Sequence, residues 1–240
     1  MIRSIVLGCL TAAVLATPLL AEPRTVPGVT EAFMDVTLSS TVQGIIHTRY
    51  FDEGATVKEG QTILELDSAL EELETQRRAA VMEHSRADFE STRSLFARSK
   101  AVSKDELQKK EMEYKVSVAE LGIATENLKR RKVIAPFSGT IVDLFLKPGA
   151  SCEPYQSLIR LVDTTRCYFI GHLQGNAGIK LQAGAKAKVA VQGASEPFEA
   201  VISFVAPVVD SASGLVKVKA LFENAEGRVR PGLAAELSLE

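Results

Sequence analysis

The 240 residues carry 28 lysines and arginines against 30 acidic side chains, a formal net charge of −2, and 46% of them are hydrophobic. That balance excludes the basic face of a non-specific nucleic-acid binder, and the apolar share excludes a disordered chain. Tryptophan is absent and there are only four tyrosines, so nothing points to an aromatic-lined ligand pocket; length alone allows one to three domains.

The chain opens as an export signal. Arg3 supplies a positive start, residues 5–16 an apolar run, and small residues follow, with cleavage after Ala21 or Ala16. An uncleaved anchor is the competing reading: residues 5–21 number 17, at the lower edge of a membrane-spanning length, and Pro18 interrupts them. Cys9 lies too near the start to be a lipid anchor. Cys152 and Cys167 are then the thiols of the mature chain, and whether they pair is open, because a chain of this size does not need a staple. His47, His84 and His172 are scattered, which leaves a metal site or a Cys/His nucleophile without local support.

From Val26 to Asp67 the pattern is β. Val36, Leu38, Val42, Ile45, Ile46, Val57, Ile63, Leu64 and Leu66 fall in short runs broken by Gly44, Asp52-Glu53-Gly54 and Glu59-Gly60, which is turn chemistry with glycine free to take positive φ. The same unit recurs. Shifting the chain by 95 positions lays Gly44 on Gly139, Ile46 on Ile141, Gly54 on Gly149, Gln61 on Gln156, Leu64 on Ile159 and Leu66 on Leu161 without a gap. A unit of ~25 residues cannot close a core alone, whereas two copies packed about a pseudo-two-fold can.

These residues carry a resemblance. Val42-Gln43-Gly44-Ile45-Ile46, Glu53 to Gln61 and Leu64-Glu65-Leu66-Asp67 resemble the first half of a lipoyl (biotinyl-like) domain; Ile134-Ala135-Pro136-Phe137-Ser138-Gly139-Thr140-Ile141, Pro148-Gly149 and Leu161-Val162-Asp163 resemble the second half. A lipoyl domain split by a helical hairpin is the arrangement of the periplasmic adaptor, or membrane fusion, proteins (HlyD-like and RND-type). Tyr155 stands where the first copy has Gly60, so the second turn is expected to be built differently. A lipoyl fold also raises the rival role of a swinging-arm carrier, which needs a lysine at a hairpin tip. The corresponding positions read Asp67-Ser68-Ala69 and Asp163-Thr164-Thr165, with no amine to acylate.

Residues 68–133 between the halves are charged and helical in period. Ser68-Ala69-Leu70-Glu71 and Ser103-Lys104-Asp105-Glu106 both read as capping boxes, which places a break near residues 99–102. Acidic residues crowd both helix starts and basic ones both ends, as the helix dipole favours. Leu107, Tyr114, Val118, Leu121 and Leu128 form a heptad seam, facing a weaker one through Leu70, Leu73, Ala80 and Ala87 with Phe89 or Phe96. The expected product is an antiparallel coiled coil projecting ~45 Å. His84, Thr125 and Lys132 near core positions make it marginal alone, so it should gain from packing against copies of itself.

The resemblance implies that the hairpin tip engages the periplasmic end of an outer-membrane channel. The residues there are Phe96, Arg98, Ser99, Lys100, Ala101, Val102, Ser103 and Lys104. Ser103 is equally explained as an N-cap, and Arg98 and Lys100 as dipole partners. The adaptor tip pattern of arginine, leucine four later and serine seven beyond matches only at Ser103: the other positions are Phe96 and Thr92, with Arg93 one place off.

After Asp163, short alternating segments at Tyr168–Leu173, Ala187–Val191, Phe198–Val205, Leu215–Phe222 and Ala234–Leu239 indicate a small β-barrel. Phe198 to Asp210, Val216-Lys217-Val218 and Asn224 to Leu233 resemble the adaptor barrel, and Arg230-Pro231-Gly232 reads as a type II turn. The chain ends at Glu240, so the resemblance is to a short form lacking a C-terminal membrane-proximal domain. Any transporter contact would then use the barrel and the N-terminal segment.

The expected fold is therefore multidomain and mainly β with an inserted α-helical hairpin: signal or anchor at 1–21, a split lipoyl sandwich at 22–67 and 134–165, the hairpin at 68–133 and a β-barrel at 166–240. No phosphate loop, nucleophile elbow or carboxylate pair facing a histidine supports an enzyme or a cofactor. Two roles stay open. One, implied by the resemblance, is an adaptor in the periplasm of a Gram-negative bacterium, associated with the inner membrane. It would form a homo-oligomeric ring and join an inner-membrane transporter, of the RND class in preference to the ABC class, to an outer-membrane channel. The other is an exported lipoyl-like carrier or ligand-binding module without a pump.

Overall fold

The computed structural model describes residues 25–99, 102–174 and 181–239. Two long strands run through both β domains: β1 (Thr25–Ser39) and β8 (Ser157–Gln174) pair antiparallel from Gly28↔Gly171 to Ser39↔Ser157. Between them come β2 (Gly44–Arg49), β3 (Thr56–Val57), β4 (Thr62–Leu66), α1 (Ala69–Ser99), α2 (Lys104–Lys129), β5 (Lys132–Ile134), β6 (Gly139–Leu144) and β7 (Ser151–Cys152). After β8 follow β9 (Lys186–Val191), β10 (Phe198–Val205), β11 (Leu215–Glu223) and β12 (Ala234–Leu239).

The sequence repeat is a pseudo-two-fold in the hydrogen bonds. Gly54 N donates to Ile141 O and Gly149 N to Ile46 O, both at 2.8 Å. Tyr50 N donates to Ile63 O at 2.9 Å, and Phe145 N to Leu158 O at 3.0 Å. Each apolar position meets its counterpart in one core: Ile46 with Ile141, Val57 with Cys152, Ile63 with Leu158 and Leu66 with Leu161 are all buried. Neither copy has enough apolar surface to cover its own face, so the sandwich exists only as the pair. The second turn corrects the expectation from Tyr155. Tyr155 adopts φ 65 where Gly60 has φ 82. Gln156 Oε1 accepts from Glu153 N at 2.8 Å, as Gln61 Oε1 does from Lys58 N at 2.8 Å. The two turns are built alike, and a tyrosine carries the left-handed backbone.

The barrel closes in the order β1-β12-β9-β10-β11-β8, with β1 returning to β8. Period-two patterning fills it: in β11 Val216, Val218, Ala220 and Phe222 point inward while Lys217 and Glu223 are exposed. Phe169, Ile202 and Leu237 complete the core. A Cβ on Gly28 would lie 2.2 Å from Ile170 O and 2.6 Å from the Phe169 ring, so the crossing of β1 over β8 requires glycine there. Val26 belongs to this core, and Thr25–Val29 pair with β12. The N-terminal arm, expected within the sandwich segment 22–67, thus builds both domains, because a strand long enough to span them pairs with whichever partner is in register. At the junction Asn224 is buried; its Nδ2 donates to Thr164 O and Val229 O, and its Oδ1 accepts from Val229 N, each at 2.9 Å. Cys152 and Cys167 are free and buried in separate cores. Burial pushes the Cys167 thiol up to about 11.

Candidate docking site at the hairpin tip

Both helices begin as the sequence marks them, by different means. Ser103 (φ −71, ψ 158) is the N-cap of α2, its Oγ accepting from Glu106 N at 3.1 Å. At α1 the predicted box does not form. Ser68 Oγ donates instead to Glu72 Oε1 at 2.9 Å, Asp67 Oδ1 accepts from Ala69 N at 3.2 Å, and the Glu71 carboxylate turns away to Arg131. An ion pair between hairpin root and sandwich edge has displaced a local capping bond.

The seam also differs from the predicted heptads. Leu70 is 77% exposed, Leu73, Ala80 and Ala87 lie on the outer face, and Val118 is 45% exposed. The inward positions of α1 are Thr75, Met82, Phe89 and Phe96, spaced by seven, beside Glu71, Arg78, Ser85 and Thr92. On α2 they are Leu107, Tyr114, Leu121 and Leu128, beside Lys110, Ser117 and Ala124. Charge sets the register: Arg78 reaches Glu120, Lys110 Nζ lies 3.2 Å from Asp88 Oδ2, and Phe89 stacks on Tyr114 at 6.0 Å between centroids. Long Arg and Lys stems cover the seam that leucines cover in a drier coiled coil. Lys132 is in β5, paired with Glu65, and His84 is exposed, so neither occupies a core position.

At the tip, Phe96 is half-buried at the last seam position and Arg98 is exposed in the last turn of α1. Ser99 Oγ donates to Leu95 O at 3.0 Å. Val102 is half-buried, Ser103 is committed to its cap, and Lys104 opens α2 exposed to solvent. Lys100 and Ala101 lie outside the described residues. The antiparallel pairing of α1 and α2 brings the cations Arg98 and Lys104 and the apolar Leu95 (49% exposed) to one end of the rod. Among the described residues it offers a small basic-apolar surface at the end of two paired helices.

The carrier positions have no turn to offer. Asp67 runs straight into α1, and Asp163 lies inside the continuous strand β8, its Oδ1 accepting from Thr165 N at 2.9 Å.

The profile of the RND MFP barrel-sandwich hybrid domain matches residues 34–164, more than half of the chain. The chain belongs to the RND membrane fusion protein family. A second profile, the CusB-like β-barrel domain, matches residues 175–240. Among relatives of this family, the antibiotic efflux pump periplasmic linker protein ArpA of Pseudomonas putida is 30% identical over an alignment of 241 positions, covering 89% of this chain and 62% of the relative. The multidrug resistance protein MexA of Pseudomonas aeruginosa is 28% identical, covering 89% of this chain and 60% of its own. The chain thus spans less than two thirds of the length of these relatives. A MacA-MexA chimera carrying the Pseudomonas aeruginosa MexA α-hairpin superposes with a TM-score of 0.78 at 22% identity, over 90% of this chain and 78% of that one. The membrane fusion protein Spr0693 of Streptococcus pneumoniae does so at 0.69 and 15%, over 90% and 98%. These two show the shared fold. What residue reasoning missed within it is the polar half of the hairpin seam: Arg78, Asp88, Lys110 and Glu120 were readable as a charge pattern, but one strand of a coiled coil does not say which charges face its partner.

Proposed function

We propose that this chain is a periplasmic adaptor of a tripartite efflux or secretion system, bridging an inner-membrane transporter and an outer-membrane channel through assembly rather than catalysis. The observation that carries the reading is the architecture: a sandwich whose halves are separated by a 60-residue-scale hairpin and stacked in line on a barrel, in a chain of the RND membrane fusion protein family. The description of one relative as the periplasmic linker of an antibiotic efflux pump supports an envelope location, and the match to the RND MFP barrel-sandwich hybrid domain supports an RND transporter before an ABC one; association with the inner membrane is part of the same proposal.

In this reading the chain divides as a signal or anchor at 1–21, a sandwich at 22–67 and 134–165 with its first strand shared by the barrel, a hairpin at 68–133 and a barrel at 166–240. The hairpin tip, Phe96 to Lys104, docks on the channel, Arg98 and Lys104 supplying charge and Leu95 with Val102 the apolar contact. Copies assemble as a ring through the outer faces of the hairpins, where Leu70, Leu73 and Val81 on α1 and Met112, Val116 and Ile123 on α2 stand exposed. Apolar side chains in rows on a charged rod are costly unless covered.

A cysteine placed at Ala101 and crosslinked in native envelopes tests the tip. Capture of an outer-membrane channel protein is the expected result; capture of nothing but other copies of this chain refutes it.

A further inference from the structure

The root of the hairpin carries an arginine that the pseudo-two-fold does not explain. The 95-position shift lays Arg131 on Val36, so the first copy has no cation at the matching place. Arg131 Nη1 donates to Gln43 O at 2.9 Å, and its Nη2 donates to Glu71 Oε1. One guanidinium thereby ties three segments: the loop before β2, the first turn of α1 and the chain leaving α2. Among the described ion pairs, Arg131–Glu71 is the one in which both side chains are under a quarter exposed, at 21% and 20%. Space has been made for it. A Cβ on Gly44 would lie 2.9 Å from Arg131 Nη1, whereas a Cβ on its counterpart Gly139 would lie 2.6 Å from Val162 O. The repeat thus keeps glycine at both places for different reasons, backbone approach in one copy and the guanidinium in the other.

Without that tie the hairpin has little to set its direction. β4 passes into α1 through Asp67 and Ser68, and α2 into β5 through Arg130 and Arg131. Each of these short connections keeps its soft backbone dihedrals. A groove lined by Val42, Leu70, Glu71, Ala124 and Arg131 leaves the helices room to lean toward the loop that carries Gln43. Small angles matter here, because Arg98 lies ~44 Å along α1 and a lean of about 10° carries the tip through ~8 Å.

We propose that Arg131 is the positioning residue of the hairpin: its planar fork, held by Gln43 O and Glu71 at once, fixes the direction in which the docking tip points. A lysine there keeps the charge but brings one nitrogen where the fork brings two, so it cannot hold both acceptors in the same geometry. The inference rests on the adaptor reading, in which the direction of the tip decides whether it meets a channel.

The test measures the distance between two spin labels on the full chain by pulsed electron paramagnetic resonance. The labels sit at Ser91→Cys on α1 and Val142→Cys on the sandwich, both exposed, while Cys152 and Cys167 are buried and stay unlabelled. Residue 91 lies ~33 Å along α1, so a lean of about 10° moves it by ~6 Å. The parent chain is expected to give one narrow distance distribution. Arg131→Lys, and independently Gly44→Ala, should widen or shift it by about that much, while helix content by circular dichroism stays at the parental value. A distribution that Arg131→Lys leaves at its parental width and centre overturns the proposal, as does a parental distribution that is already broad. Loss of helix content in Arg131→Lys with a parental distribution in Gly44→Ala overturns it too, as the mark of a residue that only stabilises the fold. No channel or transporter enters this measurement, so failure here is separable from failure of the Ala101 crosslink and of the adaptor reading.

Discussion

Tyr155 shows what a single residue costs and keeps. It is 81% exposed, yet it holds φ 65 in a turn whose pseudo-symmetric mate uses Gly60. A left-handed backbone costs a non-glycine residue about 1–2 kcal/mol, and glycine pays back roughly 0.5–1 kcal/mol of that in chain entropy. Tyr155→Gly is therefore expected to raise the melting temperature slightly, by less than about 1 kcal/mol of stability. Gly60→Ala, with open space around its Cβ, should lower it by about 1 kcal/mol. Thermal denaturation of the two variants reads opposite signs if the turns are alike. Asp35 on β1 receives Arg160 of β8 through two bonds, at 2.9 and 2.6 Å, and that guanidinium holds its carboxyl below the usual value of 3.8. A lowered folded-state value means the contribution is complete above 3.8 and is lost as pH falls through the lowered value. Both side chains are more than 40% exposed, so the effect is small. Melting curves of the wild type should steepen their decline in that acidic window relative to Asp35→Asn.

At the scale of elements, the hairpin separates what pattern can reveal from what it cannot. The break near residue 100, the Ser103 cap and the seam at Leu107, Tyr114, Leu121 and Leu128 were legible because each is written in local spacing. Of the partner seam only Phe89 and Phe96 were legible, because α1 also turns Thr75 and Met82 inward with Arg78 and Asp88 among them, while its leucines at 70 and 73 face out. Hydrophobicity alone assigns the leucines to the core; cross-helix ion pairing assigns the face. Phe89→Ala should therefore destabilise the hairpin by about 2 kcal/mol, losing a stack on Tyr114 and half-buried area. Val118→Ala should stay within about 0.5 kcal/mol. Hydrogen exchange of the α1 and α2 amides distinguishes them; equal losses would restore the heptad through Val118.

For the whole molecule, the split sandwich was legible from the 95-residue repeat, since symmetric packing demands the same residue types at the same places. The continuity of β1 and β8 through both domains was hidden, because pairing such as Val29↔Ile170 and Val36↔Leu161 joins residues far apart in the chain and leaves no local mark. That continuity matters mechanically: two paired strands and the Asn224 hydrogen bonds place hairpin, sandwich and barrel in series, an arrangement that the proposed bridging role would need. The tip was located by sequence only as a position; its basic-apolar character comes from the exposure of Arg98, Lys104 and Leu95, and its partner is a proposal.

The adaptor account is tested most directly by isolating affinity-tagged full chain from detergent-extracted native envelopes and identifying what accompanies it. It predicts an inner-membrane transporter and an outer-membrane channel in one particle, with Arg98→Glu and Lys104→Glu together releasing the channel while the transporter stays. Recovery of the chain with neither partner, or a channel retained despite reversal of both tip charges, would contradict it.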